Sequence, residues 1–174
     1  MDSQIDTAVQ KLASELQTRS LTLTAAESCT GGLIAKSLTD LPGSSSWFRQ
    51  AWITYSNEAK NQMLGVSEQL LEQQGAVSAG VVEAMAKGAL LRSGASIAVA
   101  VSGIAGPGGA TAGKPVGTVW IAWASDTGVS SQKYLFAGDR QSVRAQATLA
   151  AVLESVKLCE SVSEPLLEHN GIGD

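Results

Sequence analysis

Ser28, Cys29 and Thr30 stand in a row in the stretch TAAESCTGG, residues 24–32, directly ahead of Gly31 and Gly32. A hydroxyl or thiol at such a place can attack a carbonyl carbon if a neighbouring base takes its proton. Imidazole is the usual base, but the chain has a single histidine, His169, in a polar C-terminal stretch with Pro165 and two late glycines. That tail is expected to be mobile, which makes a Ser-His or Cys-His arrangement a poor fit. Lys60, in TYSNEAK, is the better base. It falls in the first turn of an expected helix, where the helix dipole disfavours a cation, and partial burial there lowers an amine's pKa. Tyr55 sits five residues earlier at an expected strand end and is placed to polarise or orient the same site. On spacing alone a solvated lysine is the plainer reading of Lys60, since most lysines near helix starts are simply solvated. Cys29 is intrinsically the stronger nucleophile, but no imidazole is at hand to activate it, so packing is its expected use.

These side chains need elements to hold them. LTLTA, 21–25, alternates as a strand, and GGLIAKSLTDLPG then reads as a helix stopped by Pro42 and Gly43. A strand-to-helix junction therefore falls at Ser28–Gly31, where exposed N–H groups of Cys29, Thr30, Gly31 and Gly32 could face an oxyanion or phosphate. The alternative is a tight turn whose hydroxyls only cap the helix. Upstream, Ile5, Val9, Leu12, Ala13 and Leu16 recur at helical spacing. Downstream, WFRQAWITY reads as a strand, and a short helix follows from a cap at Ser56 or Asn57 to Gly65. Two more helices are expected, at 68–74 from Ser67 and at 79–92 from Ser78, and then a central apolar strand over 95–102. VGTVWIAWA and VSSQKYLFA, separated by SDTG, suggest an antiparallel hairpin, and 138–160 closes as a long helix. The pattern predicts an α/β domain over 1–160 with a three-layer α/β/α arrangement, its mixed, partly antiparallel sheet covered by helices. Residues 161–174 form the tail.

Two loops carry further candidates. GIAGPGG follows the central strand, where α/β proteins place ligand-binding loops, so Ser102, Gly103 and Gly106 are candidate contacts. GGATAGKP, 108–115, matches a phosphate-binding P-loop until Pro115 takes the place of its magnesium-binding hydroxyl, and a strand rather than a helix follows. A kinase or ATPase reading is rejected. In GDRQSVR, Arg140 and Arg144 lie four apart on one face of the last helix, where they could meet a phosphate. Paired surface arginines are the plainer alternative.

Composition excludes other classes. With 174 residues, 44% of them hydrophobic, the chain supports one well-buried core. A net charge of −4 argues against a nucleic-acid binder, so an anionic small molecule would need a local basic pocket. Two distant cysteines and one histidine suggest neither a disulfide framework nor a zinc site. No apolar run is long enough for a membrane span and the N-terminus lacks signal-peptide character, so no membrane partner and a cytoplasmic location are expected.

AAESCTGGLIAKSLTDLPGSSSWF, TYSNEAK, LGV, GAVS, SGIAGPGG, KPVGTVWIAWA and GDRQSVR occur in this order. Together they closely resemble the C-terminal domain family of competence/damage-inducible protein A, CinA, over about residues 5–160. The resemblance implies an α/β/α fold and hydrolysis of the carboxamide of nicotinamide mononucleotide to nicotinate mononucleotide and ammonia. It also implies no metal or other cofactor and a homo-oligomer, a dimer being favoured. The family's nucleophilic serine falls on Ser28, its lysine base on Lys60, its assisting tyrosine on Tyr55, and a loop hydroxyl on Ser102. Two departures stand out: Ser102 replaces a frequent threonine, keeping the hydroxyl without the methyl, and Ala51 replaces a frequent glycine in the strand before the tyrosine. On this reading Tyr55 and Ser102 surround Lys60 and keep it neutral and aimed. The competing readings are a non-catalytic nucleotide-binding or scaffold module and an amidase for another small amide.

Overall fold

The computed structural model describes residues 1–162; the stretch holding Pro165 and His169 lies outside them. The elements, in chain order, are α1 (Asp2–Thr18), β1 (Leu23–Glu27), α2 (Leu33–Thr39), a 3₁₀ turn (Ser44–Ser46), β2 (Phe48–Ile53), α3 (Asn57–Leu64), α4 (Glu68–Gln74), α5 (Ala79–Ser93), β3 (Ile97–Gly103), β4 (Thr118–Ser125), β5 (Gly128–Leu135) and α6 (Arg140–Cys159). The sheet order is β2-β1-β3-β4-β5. β1 runs parallel to both β2 and β3, whereas β3–β4 and β4–β5 pair antiparallel. This is the mixed, helix-covered sheet expected from the pattern of elements.

Strand alternation sorts the core into two layers. Ile97, Val99 and Val101 of β3, with Val119, Ile121 and Trp123 of β4, pack toward the α1, α2 and α6 side. Each such branched side chain contributes roughly 1.5–3 kcal/mol when buried. The opposite face is lined by Ala26, Ala98, Ala100, Ala122 and Ala124, and α5 packs there. Small side chains let that helix come close. Gly88 does the same for the next contact outward, since a Cβ on it would lie 2.0 Å from the Leu64 carbonyl oxygen.

Serine and aspartate start four of the helices as their side chains allow. Ser56, Ser67, Ser78 and Asp139 accept hydrogen bonds from the N–H groups of Ala59, Leu70, Val81 and Ser142. α2 is shorter than the sequence pattern suggests. Gly31 and Gly32 take φ values of +56° and +96°, outside helical space, and the helix ends at Thr39, ahead of the Leu41–Pro42 bond that disfavours helical backbone. β1, in turn, runs two residues further than LTLTA and ends on Glu27, which is fully buried.

Candidate active site

Parity along β1 places the site. Leu23 and Ala25 point to the α2 and α6 side and Ala26 to the α5 side. Two residues on from Ala26, Ser28 comes to the side where α3 lies, while the intervening Glu27 turns toward α2. Lys60, at the end of the first turn of α3, meets Ser28 there: its Nζ lies 3.0 Å from Ser28 Oγ and donates to it. The same amine donates to the Thr54 carbonyl oxygen at 2.8 Å. Thr54 is itself pinned, because its N–H donates to the Glu27 carbonyl oxygen at 2.8 Å.

Lys60 is only 1% exposed. Burial disfavours its charged form and lowers the amine from 10.5 to about 8. Desolvation is the cause, and the helix dipole invoked from sequence is not needed to account for it. The Cys29 thiol moves the opposite way, pushed up to about 12 chiefly by its burial. It therefore stays protonated and inert near neutral pH, in keeping with the packing use expected of it.

Ser28 and Lys60 open into a cavity of about 210 Å³ whose other walls include Cys29, Tyr55, Asn57, Ser102, Gly103 and Arg140. A larger cavity of about 500 Å³ shares Asn57 with it but is lined by Glu58, Glu68 and Glu72 and by no cation. Its charge opposes an anionic ligand, and neither Ser28 nor Lys60 reaches it. Asn57 was not singled out from sequence beyond its capping option.

Several expected roles change. Tyr55 lines the cavity but is 58% exposed, and its hydroxyl accepts from Arg140 Nη2 at 2.8 Å and makes no hydrogen bond to Lys60. Ser102 is buried and donates to the Ala76 carbonyl oxygen at 2.7 Å, fastening the segment before α5 that forms one cavity wall. The surround expected of these two is supplied instead by the Thr54 carbonyl, a backbone group that side-chain patterns do not reveal. Gly103 approaches β4 so closely that a Cβ would sit 2.7 Å from Val119. Gly106 lends its carbonyl oxygen to Arg140 Nη1 at 2.9 Å.

The oxyanion donors also narrow. Gly31 N–H is taken by the Ser28 carbonyl oxygen at 3.0 Å and Gly32 N–H by Glu27 Oε2 at 3.0 Å. Among the described residues, the N–H groups of Cys29 and Thr30 are left without an acceptor. The two arginines part company as well. Arg140 lines the cavity, whereas Arg144 donates through Nη2 to the Thr30 carbonyl oxygen at 2.6 Å and leaves its buried Nε unpaired. In the P-loop look-alike, Lys114 Nζ binds the Gln74 carbonyl oxygen at 3.0 Å, at the C-terminal end of α4. Among the described residues there is no cluster of three or more metal-ligating side chains, and no helix is long and apolar enough to cross a membrane.

Comparison with known proteins gives the same outline. Nicotinamide-nucleotide amidohydrolase PncC of Pseudomonas putida is 51% identical over 148 residues, covering 85% of this chain and 92% of that protein. PncC of Escherichia coli K12 is 51% identical over 152 residues, with 87% and 92% covered. A CinA-like protein of Akkermansia muciniphila is 58% identical over 134 residues, which make up 75% of this chain but 32% of that longer protein. Among solved structures, a CinA superfamily protein from Klebsiella pneumoniae superposes with a TM-score of 0.87 at 36% identity, covering 90% of this chain and 98% of its own. The competence/damage-inducible protein CihA from Agrobacterium tumefaciens gives 0.86 at 40% identity, covering 90% and 96%. The model of the CinA C-terminal domain matches residues 5–159, a span that runs from the first turn of α1 to the end of α6 and holds the whole Ser28–Lys60 site, and the chain belongs to that family.

Proposed function

We propose that the protein is a nicotinamide-nucleotide amidase that hydrolyses the carboxamide of nicotinamide mononucleotide, with Ser28 as nucleophile and Lys60 as general base. The observation that carries the reading is the 3.0 Å contact between a buried, neutralisable amine and a serine hydroxyl at a cavity. The PncC relatives, half identical over nearly the whole domain, supply the substrate class.

In the deprotonated state Lys60 keeps its donor bond to Thr54 and turns its lone pair to the Ser28 hydroxyl. Ser28 Oγ adds to the carboxamide carbon as Lys60 takes the proton, and the oxyanion is held by the N–H groups of Cys29 and Thr30. The C–N bond then breaks while Lys60 returns the proton to the leaving nitrogen, releasing ammonia. Water, deprotonated by Lys60, cleaves the acyl-enzyme ester and restores Ser28. The substrate's pyridinium withdraws electrons from the carbonyl, so the site need not supply all of the activation. Incubation of the pure protein with nicotinamide mononucleotide should release ammonia and nicotinate mononucleotide in equal amounts over many turnovers. Stoichiometric binding without turnover would instead make it a nucleotide-binding module.

The arginines give a second test. On this reading Arg140, on the cavity wall, reads the phosphate, and Arg144 holds the nucleophile turn. A charge-assisted hydrogen bond contributes on the order of 1.5–3 kcal/mol, so Arg140→Ala should lower kcat/KM for the mononucleotide roughly ten- to a hundredfold. Nicotinamide riboside, which has no phosphate, should be little affected. Arg144→Ala should slow both substrates alike. Steady-state kinetics on the two substrates decide it, and equal losses for Arg140→Ala would remove that residue from the phosphate site.

A further inference from the structure

Glu27 is the one fully buried carboxylate among the described residues, and the mechanism above leaves it unused. It sits in the chain directly before the nucleophile, and no lysine or arginine pairs with it among the described residues. Three backbone donors compensate it instead: Gly32 and Ile34 donate to Oε2 at 3.0 and 3.1 Å, and Ala35 to Oε1 at 2.8 Å. Helix starts are ordinarily capped at the surface by Ser, Thr, Asp or Asn, at little desolvation cost. α2 has Gly32 at that place and no capping side chain of its own. A buried charge is an expensive substitute, and its value must lie in what it holds in place.

The bonds span the two left-handed glycines and close the strand-to-helix turn into a ring from Glu27 to Ala35. Ser28, Cys29, Thr30 and Gly31 form the stretch of that ring between Glu27 and Gly32, the first residue whose N–H the carboxylate binds. Because the carboxylate takes the N–H groups of Gly32, Ile34 and Ala35 and the Thr30 carbonyl takes that of Leu33, the helix start has no donor left for an anion. We infer that Glu27 is a positioning residue for the oxyanion hole: its side chain fixes the turn so that the N–H groups of Cys29 and Thr30 stand ready for the tetrahedral oxyanion on Ser28. This rests on Ser28 being the nucleophile.

The variants are Glu27→Gln, which keeps shape but presents an amide donor to one of the three N–H groups, and Glu27→Asp, which keeps charge but is one methylene too short. Three quantities are measured on the intact protein below its melting temperature: steady-state kinetics, affinity for the product nicotinate mononucleotide, and affinity for the substrate analogue bearing a pyridine-3-carboxaldehyde. The aldehyde carbon adds Ser28 Oγ, and the hemiacetal oxygen occupies the oxyanion position. Both variants should lose kcat and aldehyde affinity together, by roughly ten- to a hundredfold, while product affinity changes less than about threefold. A wild-type kcat in both, a fall in melting temperature alone, or equal loss of product and aldehyde affinity would overturn the role. So would failure of both variants to fold, which would make Glu27 a folding element. Ser28→Ala separates the underlying reading: if that variant turns over normally the nucleophile is wrong, whatever Glu27 does.

Discussion

An alanine at position 28 is expected to remove ammonia release almost completely, by on the order of 10⁴-fold or more, with the fold and product binding close to normal. The change deletes one oxygen from a residue that is 8% exposed, and the backbone bond from Ser28 N–H to Val101 is untouched. Lys60 keeps its bond to Thr54, so the amine is not stranded. Loss of turnover would then report chemistry rather than collapse, provided the melting temperature stays within a few degrees. Ser28→Cys should retain little activity, because a longer C–S bond misplaces the attacking atom in a site set for oxygen. The neighbouring thiol provides the contrast. Cys29→Ala keeps the backbone donor at that position and should retain turnover that Ser28→Ala does not. Normal hydrolysis by Ser28→Ala together with an inactive Cys29→Ala would move the nucleophile one residue along the chain.

That contrast shows where sequence patterns inform and where they stop. Serine and glycine signals located α3, α4 and α5 to within a residue or two, because side-chain caps and left-handed stops are local and leave local traces. Ser28 and Lys60 could be picked out by residue type. The groups that tune them could not. Thr54 acts through its carbonyl, which any residue carries, and nothing in residue type marks Glu27 as buried, since charged residues are so seldom fully buried. The one clue to Glu27 was its place, an acid just before a helix start with no other cap. The split between Arg140 and Arg144 was hidden for another reason. Four residues apart on one helix face, they share a direction, and only the path of the 28–31 turn sends one to the cavity and the other to the Thr30 carbonyl.

Lys60 should impose its titration on the rate. With the amine near 8, about a tenth of the free enzyme holds it neutral at pH 7, about half at pH 8 and roughly nine-tenths at pH 9. The plot of kcat/KM against pH should therefore rise through about 8 and level off, since that quantity follows the ionisation of the free enzyme. Lys60→Arg should be almost inactive at every pH in this range, because guanidinium keeps its proton. Substantial activity in that variant, or a rate that does not rise with pH, would leave the lysine an electrostatic or structural part. The same burial has a cost in stability whose sign can be checked. Between about 8 and 10.5 the folded state holds fewer protons at Lys60 than the unfolded chain does. Stability should therefore rise with pH across that window, and below it the unfavourable burial is felt in full. Lys60→Met keeps the length of the side chain without the charge. At pH 7 it should melt several degrees higher than the parent while losing turnover, and the difference should shrink as pH climbs past 8. A melting temperature that falls on this substitution would mean that the bonds to Ser28 and Thr54 outweigh the desolvation of the amine.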